Sequence, residues 1–106
     1  IKLGGMMAVM EAARHAHSLG LNINLAGKVA ETSISGSAVS TLSCLVPNIN
    51  WDVSITNQYL DLDPVTKSLD IEKGNVCILK GVGLGTEIDI EKLAPYVKSY
   101  FKCQKS

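Results

Sequence analysis

The chain has no excess of either charge: ten lysines and arginines face ten aspartates and glutamates over 106 residues. That balance removes any general attraction to nucleic acid or to an anionic membrane, so a charged ligand has to be met locally. There is no run approaching 18 consecutive apolar residues, and the first residues lack the basic-then-apolar layout of a secretory signal. A soluble, cytoplasmic chain is the expectation. Cysteine is scarce as well. Cys44, Cys77 and Cys103 are odd in number and irregularly spaced, which fits neither a disulfide framework nor a zinc site, and idle thiols in a reducing compartment are expected. What is present is an ordinary globular balance, 46% hydrophobic and 19% charged, enough for a modest core.

Ile1-Lys2-Leu3-Gly4-Gly5 reads as a strand end and a glycine turn with almost no strand in front, so the chain is expected to open inside a βα unit. Met6, Val9, Met10, Ala13 and Ala16 then recur at helical spacing as one apolar face, which Gly20 ends. Leu21, Ile23 and Leu25 alternate with Asn22 and Asn24 up to Gly27, a short strand whose asparagines suggest a polar interior or a rim. A second helix is predicted from Thr32 or Ser33, either of which can cap it, with Ile34, Ala38, Thr41, Leu42 and Leu45 as its apolar stripe and Pro47 and Asn48 as its stop. From Asn50 to Thr56, Trp51, Val53 and Ile55 alternate with Asp52 and Ser54, which predicts a strand with one buried face.

The pattern changes after Tyr59. Asp61, Asp63 and Pro64 mark a loop, and Leu69 to Ile71, Lys73-Gly74-Asn75 and Val76 to Leu79 read as a hairpin with a glycine-containing turn. Asp89 is placed to cap a last helical stretch through Phe101, which Pro95 either kinks or restarts. Strands alternating with helices imply βαβ crossovers and a parallel sheet, whereas the late hairpin belongs to something else. Residues 1–60 and 61–106 therefore form the expected division, and two parallel strands need partners beyond this stretch.

Several residues invite a chemical reading. Lys2, a lysine at a strand end beside glycines, is a candidate base, although a mouth residue that steadies negative charge is the better expectation. Lys28 is more often an exposed strand-end lysine than a pocket residue. Asp52, Ser54 and Thr56 alternate with the apolar set and would face one way. His15 and His17, two apart on a helix, share no face and so no metal pocket. Gly81-Val82-Gly83-Leu84-Gly85 lacks the six-residue phosphate-binding fingerprint and a helix directly after it.

Taken in order, Lys2-Leu3-Gly4-Gly5, Leu25-Ala26-Gly27-Lys28-Val29-Ala30-Glu31-Thr32 and Gly81-Val82-Gly83-Leu84-Gly85-Thr86-Glu87-Ile88-Asp89 resemble the C-terminal part of the mandelate racemase and muconate-lactonising (muconate cycloisomerase) branch of the enolase superfamily. The Trp51 strand and the Asn57-Gln58-Tyr59-Leu60 loop before Asp63-Pro64 fall in the same frame. The resemblance implies an α/β fold: a C-terminal fragment of a (β/α) TIM-type barrel, about strands seven and eight with adjacent helices, plus a hairpin and final helix that would pack on a capping domain. It implies a Mg²⁺-dependent enzyme that removes a proton alpha to the carboxylate of a small-molecule substrate, ending in cycloisomerisation, racemisation or epimerisation. The Mg²⁺ ligands and the sixth-strand base would lie ahead of Ile1, so no metal ligand is expected in this chain and the isolated fragment is expected to be inactive.

By the same resemblance, Glu31 matches the glutamate of a Glu-Thr or Glu-Ser pair after the seventh strand and is expected to support the site by hydrogen bonding. A helix-start carboxylate is its structural alternative. Gly27 stands where mandelate racemase carries a second catalytic histidine, which disfavours a two-base arrangement using that position. Supporting roles are thus expected of Glu31 and Lys2, and substrate contacts of Gly27, Lys28, Ser54 and Thr56. The glycine-rich segment becomes a turn that anchors the tail. A homo-oligomeric parent is expected. A dipeptide epimerase, an N-acylamino-acid racemase or an o-succinylbenzoate synthase is the alternative within the family, and a non-catalytic binding module the alternative outside it.

Overall fold

The computed structural model describes residues 2–98. The reach of the last helix to Phe101, and Cys103, lie outside the described residues.

Helix α1 spans Met6–Ser18 and buries Ala13, with Val9, Met10 and Ala16 half-buried beside it. Gly20 closes it at φ 70°, where Leu21 N–H donates to Ala16 O at 2.9 Å and Gly20 N–H to His17 O at 3.0 Å. This double bond around a left-handed residue is the Schellman ending that glycine favours. Strand β1 (Ile23–Ala26) and strand β2 (Ile49–Ser54) then pair in parallel, with helix α2 (Ser33–Leu45) as the crossover between them. Asn48 is buried at the entry to β2, and its side-chain amide donates to Leu21 O at 2.8 Å, fixing the start of one strand against the other.

The pairing is not uniform. Ile23 faces Ile49, but Leu25 faces Val53, so β2 carries two extra residues over that interval. Asp52 takes φ 61°, and the Asn24 side-chain amide donates to both Trp51 O and Asp52 O at 2.8 Å, satisfying the carbonyls that the bulge takes out of the ladder. The expected alternation therefore fails here: Trp51 is 67% exposed rather than buried, and Asp52 does not continue the row of Ser54 and Thr56.

Helix α2 corrects a second expectation. Of the predicted stripe only Leu42 is buried; Ile34, Ala38 and Thr41 are half-buried and Leu45 is 57% exposed. The buried face is instead Ser33, Gly36, Ser37 and Ser40. Small residues let the tail lie close, and each hydroxyl is satisfied: Ser37 donates to Leu84 O at 2.6 Å, Ser40 to Gly36 O at 2.8 Å, and Ser33 to Asp63. Burial of a polar face costs little once its groups are paired. Neither Thr32 nor Ser33 caps the helix with its own side chain. The Asp63 carboxylate does so from a distance, accepting Ser33 N–H at 3.1 Å.

The tail thus packs on α2. Strands β3 (Ile71–Glu72) and β4 (Asn75–Val76) form the predicted hairpin, with Lys73 and Gly74 both at positive φ, 48° and 78°, as its two-residue turn requires. Val65 is fully buried and bridges to Ile88, and Gly85, at φ 72°, passes so close to Leu79 O that an added Cβ would lie 2.6 Å from it. With Leu84 O held by Ser37, the glycine-rich segment anchors the tail to α2. Asp89 Oδ1 accepts Lys92 N–H at 3.1 Å and caps helix α3 (Ile90–Leu93), after which Pro95 sits in a separate 3₁₀ turn, Ala94–Tyr96. Ala13, Leu42, Val46, Ile55, Val65 and Leu69 are the buried apolar side chains that join these parts.

Candidate functional site at the ends of the parallel strands

The C-terminal ends of β1 and β2 lie level, since Ala26 is paired with Ser54 and Gly27 N–H donates to Ser54 O at 3.2 Å. Beyond β1 the chain turns through Ala30, which takes φ 56°, and comes back so that Glu31 hangs over Gly27. A Cβ at Gly27 would stand 2.8 Å from Glu31 Oε2. Glu31 N–H donates to Thr56 Oγ1 at 3.3 Å, and the Thr56 hydroxyl donates to Lys28 O. Ser35, one turn into the helix, donates to Glu31 Oε2. The Ser35 hydroxyl, then the Lys28 backbone N–H, hold the Glu31 carboxyl below its ordinary range; partial burial opposes them, and the Lys28 charge adds to them. The group is an oriented carboxylate at neutral pH.

The candidate residues separate accordingly. Glu31 and Thr56 meet at this rim with Gly27 and Lys28. The space in front of Gly27 is taken by Glu31, and both functions of the Thr56 hydroxyl are spent on the loop, so these two build the rim. Lys28 is exposed; Ser54 is exposed and joins the rim through its carbonyl. Lys2 is exposed at the start of the described chain and makes no ion pair with Glu31; among the described residues Lys92 and Asp89, at 3.6 Å, form the one ion pair. His15 and His17 are exposed in the last turn of α1. Ser35 was not singled out in the sequence, although its position four residues after Glu31 is the spacing at which helical neighbours meet.

A separate cavity of about 670 Å³ lies on the tail side, bordered by Asn57, Gln58, Asp61, Asp63, Ser68 and Asp70. Among the described residues no three His, Cys, Asp or Glu side chains gather as a metal ion needs. No helix is long and apolar enough to cross a membrane among those residues.

No protein-family model matches the chain, and no curated protein matches it. Solved structures do. An isomerase from Streptomyces coelicolor A3(2) aligns with a TM-score of 0.79 and 27% identity, over 88% of this chain and 25% of its own. An enolase from Mycobacterium smegmatis str. MC2 155, complexed with formate and acetate, aligns with a TM-score of 0.77 and 26% identity, over 87% of this chain and 22% of its own. The likeness supports the enolase superfamily. A further enolase, from Gibberella zeae PH-1 and complexed with magnesium, formate and sulfate, aligns with a TM-score of 0.75 and 27% identity, over 87% of this chain and 22% of its own. The chain thus spans a quarter or less of the isomerase and of the two enolases, and its relationship is to part of such an enzyme.

Proposed function

We propose that this chain belongs to a Mg²⁺-dependent enzyme of the mandelate racemase and muconate-lactonising branch, in which β1 and β2 serve as the seventh and eighth strands of a (β/α) barrel. The reaction is removal of a proton alpha to the carboxylate of a small-molecule substrate, with cycloisomerisation, racemisation or epimerisation as its outcome. The supporting observation is the oriented Glu31 carboxylate at the C-terminal ends of two parallel strands, the end at which barrel enzymes keep their active sites. Glu31 supports the site by hydrogen bonding; Lys2 and Lys28, as mouth lysines, favour an anionic substrate, and Ser54 lies within the same rim. The base and the Mg²⁺ ligands belong to other residues of the enzyme. We place the enzyme in the cytoplasm as a homo-oligomer.

The test uses the full-length protein. Incubated with Mg²⁺ and a panel of carboxylates in D₂O, it is expected to exchange the α-proton of its substrate, followed by loss of the ¹H NMR signal, and to stop when the metal is chelated. Glu31→Gln is expected to slow exchange roughly tenfold to a hundredfold, as for loss of a supporting group rather than the base. Its stability should move by less than about 1 kcal/mol, since a rim side chain away from the core is changed. Undiminished exchange together with a clear loss of stability would make Glu31 a helix-start residue and remove the site.

A further inference from the structure

We infer that Ser35 and the bare Cα of Gly27 are positioning residues that together fix the Glu31 carboxylate at the strand ends; the inference rests on the function proposed above. Three independent features converge on one oxygen and its backbone. Ser35 Oγ donates to Glu31 Oε2. The same Oε2 occupies the place a side chain at Gly27 would take, with 2.8 Å between it and an ideal Cβ. Ala30, without glycine's freedom, is held at φ 56°, the conformation that returns Glu31 over β1.

A helix-start carboxylate alone needs none of this. It gains from the helix end wherever it lies near the first turn, and a first-turn serine ordinarily turns to nearby backbone or water. Here the serine hydroxyl goes to the carboxylate, and the carboxylate lies on the strand. Glycine at 27 is then a requirement of Glu31 rather than the loss of a proton-transfer group. The floor of the site at this strand is a carboxylate supplied from four residues further on. Thr56 holds the backbone of the same residue through Glu31 N–H, so the carboxylate is fixed from α2 and the main chain from just beyond the end of β2.

A double-mutant cycle on α-proton exchange in the full-length protein tests this. Ser35→Ala is expected to slow exchange about tenfold with KM little changed, as for one lost hydrogen bond to a charged group. In a Glu31→Ala background, which leaves no side-chain oxygen for the hydroxyl to hold, the same change is expected to cost nothing further, because the two residues act as one unit. Gly27→Ala should follow the same pattern, and Ser35→Thr, which keeps the hydroxyl, should restore most of the rate. A readout besides activity is the ¹³C NMR titration of the Glu31 carboxyl carbon, assigned with Glu31→Gln. Its midpoint is expected to rise in Ser35→Ala and to return in Ser35→Thr. Where Ser35→Ala does not fold, Ser35→Cys keeps the volume with a weaker donor and is expected to give a smaller rise. Equal losses from Ser35→Ala in both backgrounds, or an unmoved midpoint, overturn the inference. No Mg²⁺-dependent exchange by the unsubstituted protein removes the proposed function and the positioning role together, whereas undiminished exchange in Glu31→Gln, or a slow Glu31→Gln beside fully active Ser35→Ala and Gly27→Ala, removes the positioning role alone.

Discussion

The backbone N–H of Leu69 donates to Ser33 Oγ across 2.8 Å, joining the tail to the first turn of α2 over 36 positions of sequence. The same hydroxyl accepts the Asn57 side-chain amide at 3.2 Å and donates to Asp63, so one fully buried serine serves three partners.

Ser33→Ala leaves the Leu69 N–H without its acceptor in a buried place and removes one of two acceptors from the Asn57 amide. A loss of about 2–3 kcal/mol is expected from groups left unpaired away from water. Urea melts of the full-length protein measure it, and a loss within about 0.5 kcal/mol, the range of an ordinary surface change, would show that the serine is not the link between tail and helix.

Gly36 faces the same neighbour by shape. A Cβ there would lie 2.8 Å from Leu69 Cδ1 and 3.4 Å from Ile55 Cγ2. Gly36→Ala therefore sets a gain of roughly 1 kcal/mol in helix propensity against about 1–3 kcal/mol of overpacking. A net loss is expected, and Leu69→Val should cost less in the Gly36→Ala protein than in the wild type. Additive losses in the double variant would mean that the two side chains do not meet.

Stability should depend on the charge of Glu31. Its carboxyl is held below the ordinary range in the folded chain, chiefly by the Ser35 hydroxyl and then by the Lys28 N–H. A lowered folded-state value contributes stability that is full above the unfolded value and lost as pH falls through the folded one. Wild type is therefore expected to lose more stability than Glu31→Gln on acidification below about pH 4.3, the ordinary glutamate value. Parallel urea titrations of the two proteins across that range make the comparison, and coincident curves would contradict it.

Each of β1 and β2 has one paired edge and one unpaired edge among the described residues. Such an edge templates pairing with other chains, so residues 1–106 expressed alone are expected to associate. Sizing chromatography shows the outcome; a sharp monomer peak with a cooperative melt would be evidence against it.

The punctuation of the chain was legible. Gly20 ends α1, Pro47 follows the end of α2, and Lys73-Gly74 makes the hairpin turn, because each works through backbone conformations that few other residues supply. Glu31 was visible through a motif, and its contact with Thr56 follows from parallel strands ending level. The buried face of α2 was not legible. Serine and glycine on a helix carry almost no apolar signal, and what makes their burial favourable, Asp63, Leu69 and Leu84, lies at least 30 positions away. Trp51 misled for a related reason: alternation predicts burial only while the ladder is regular, and nothing local to Trp51 says that Asn24 will hold its carbonyl outside the ladder.

The bulge in β2 works as a vernier for the rim. Carried on from Ile23 and Ile49 without it, the register would set Ala26 against Asp52, whereas Ala26 faces Ser54. At roughly 3.3 Å per residue, Thr56 would then stand about 6.6 Å too far along to meet Glu31. Because the insertion is two residues and not one, the offset is corrected without exchanging the faces of the strand. Deleting the two extra residues would let the ladder run regularly from Ile23 and Ile49 and still bring Ser54 opposite Ala26, whereas drawing the bulge flat with every residue kept would slide Ser54 and Thr56 past the carboxylate they are meant to serve.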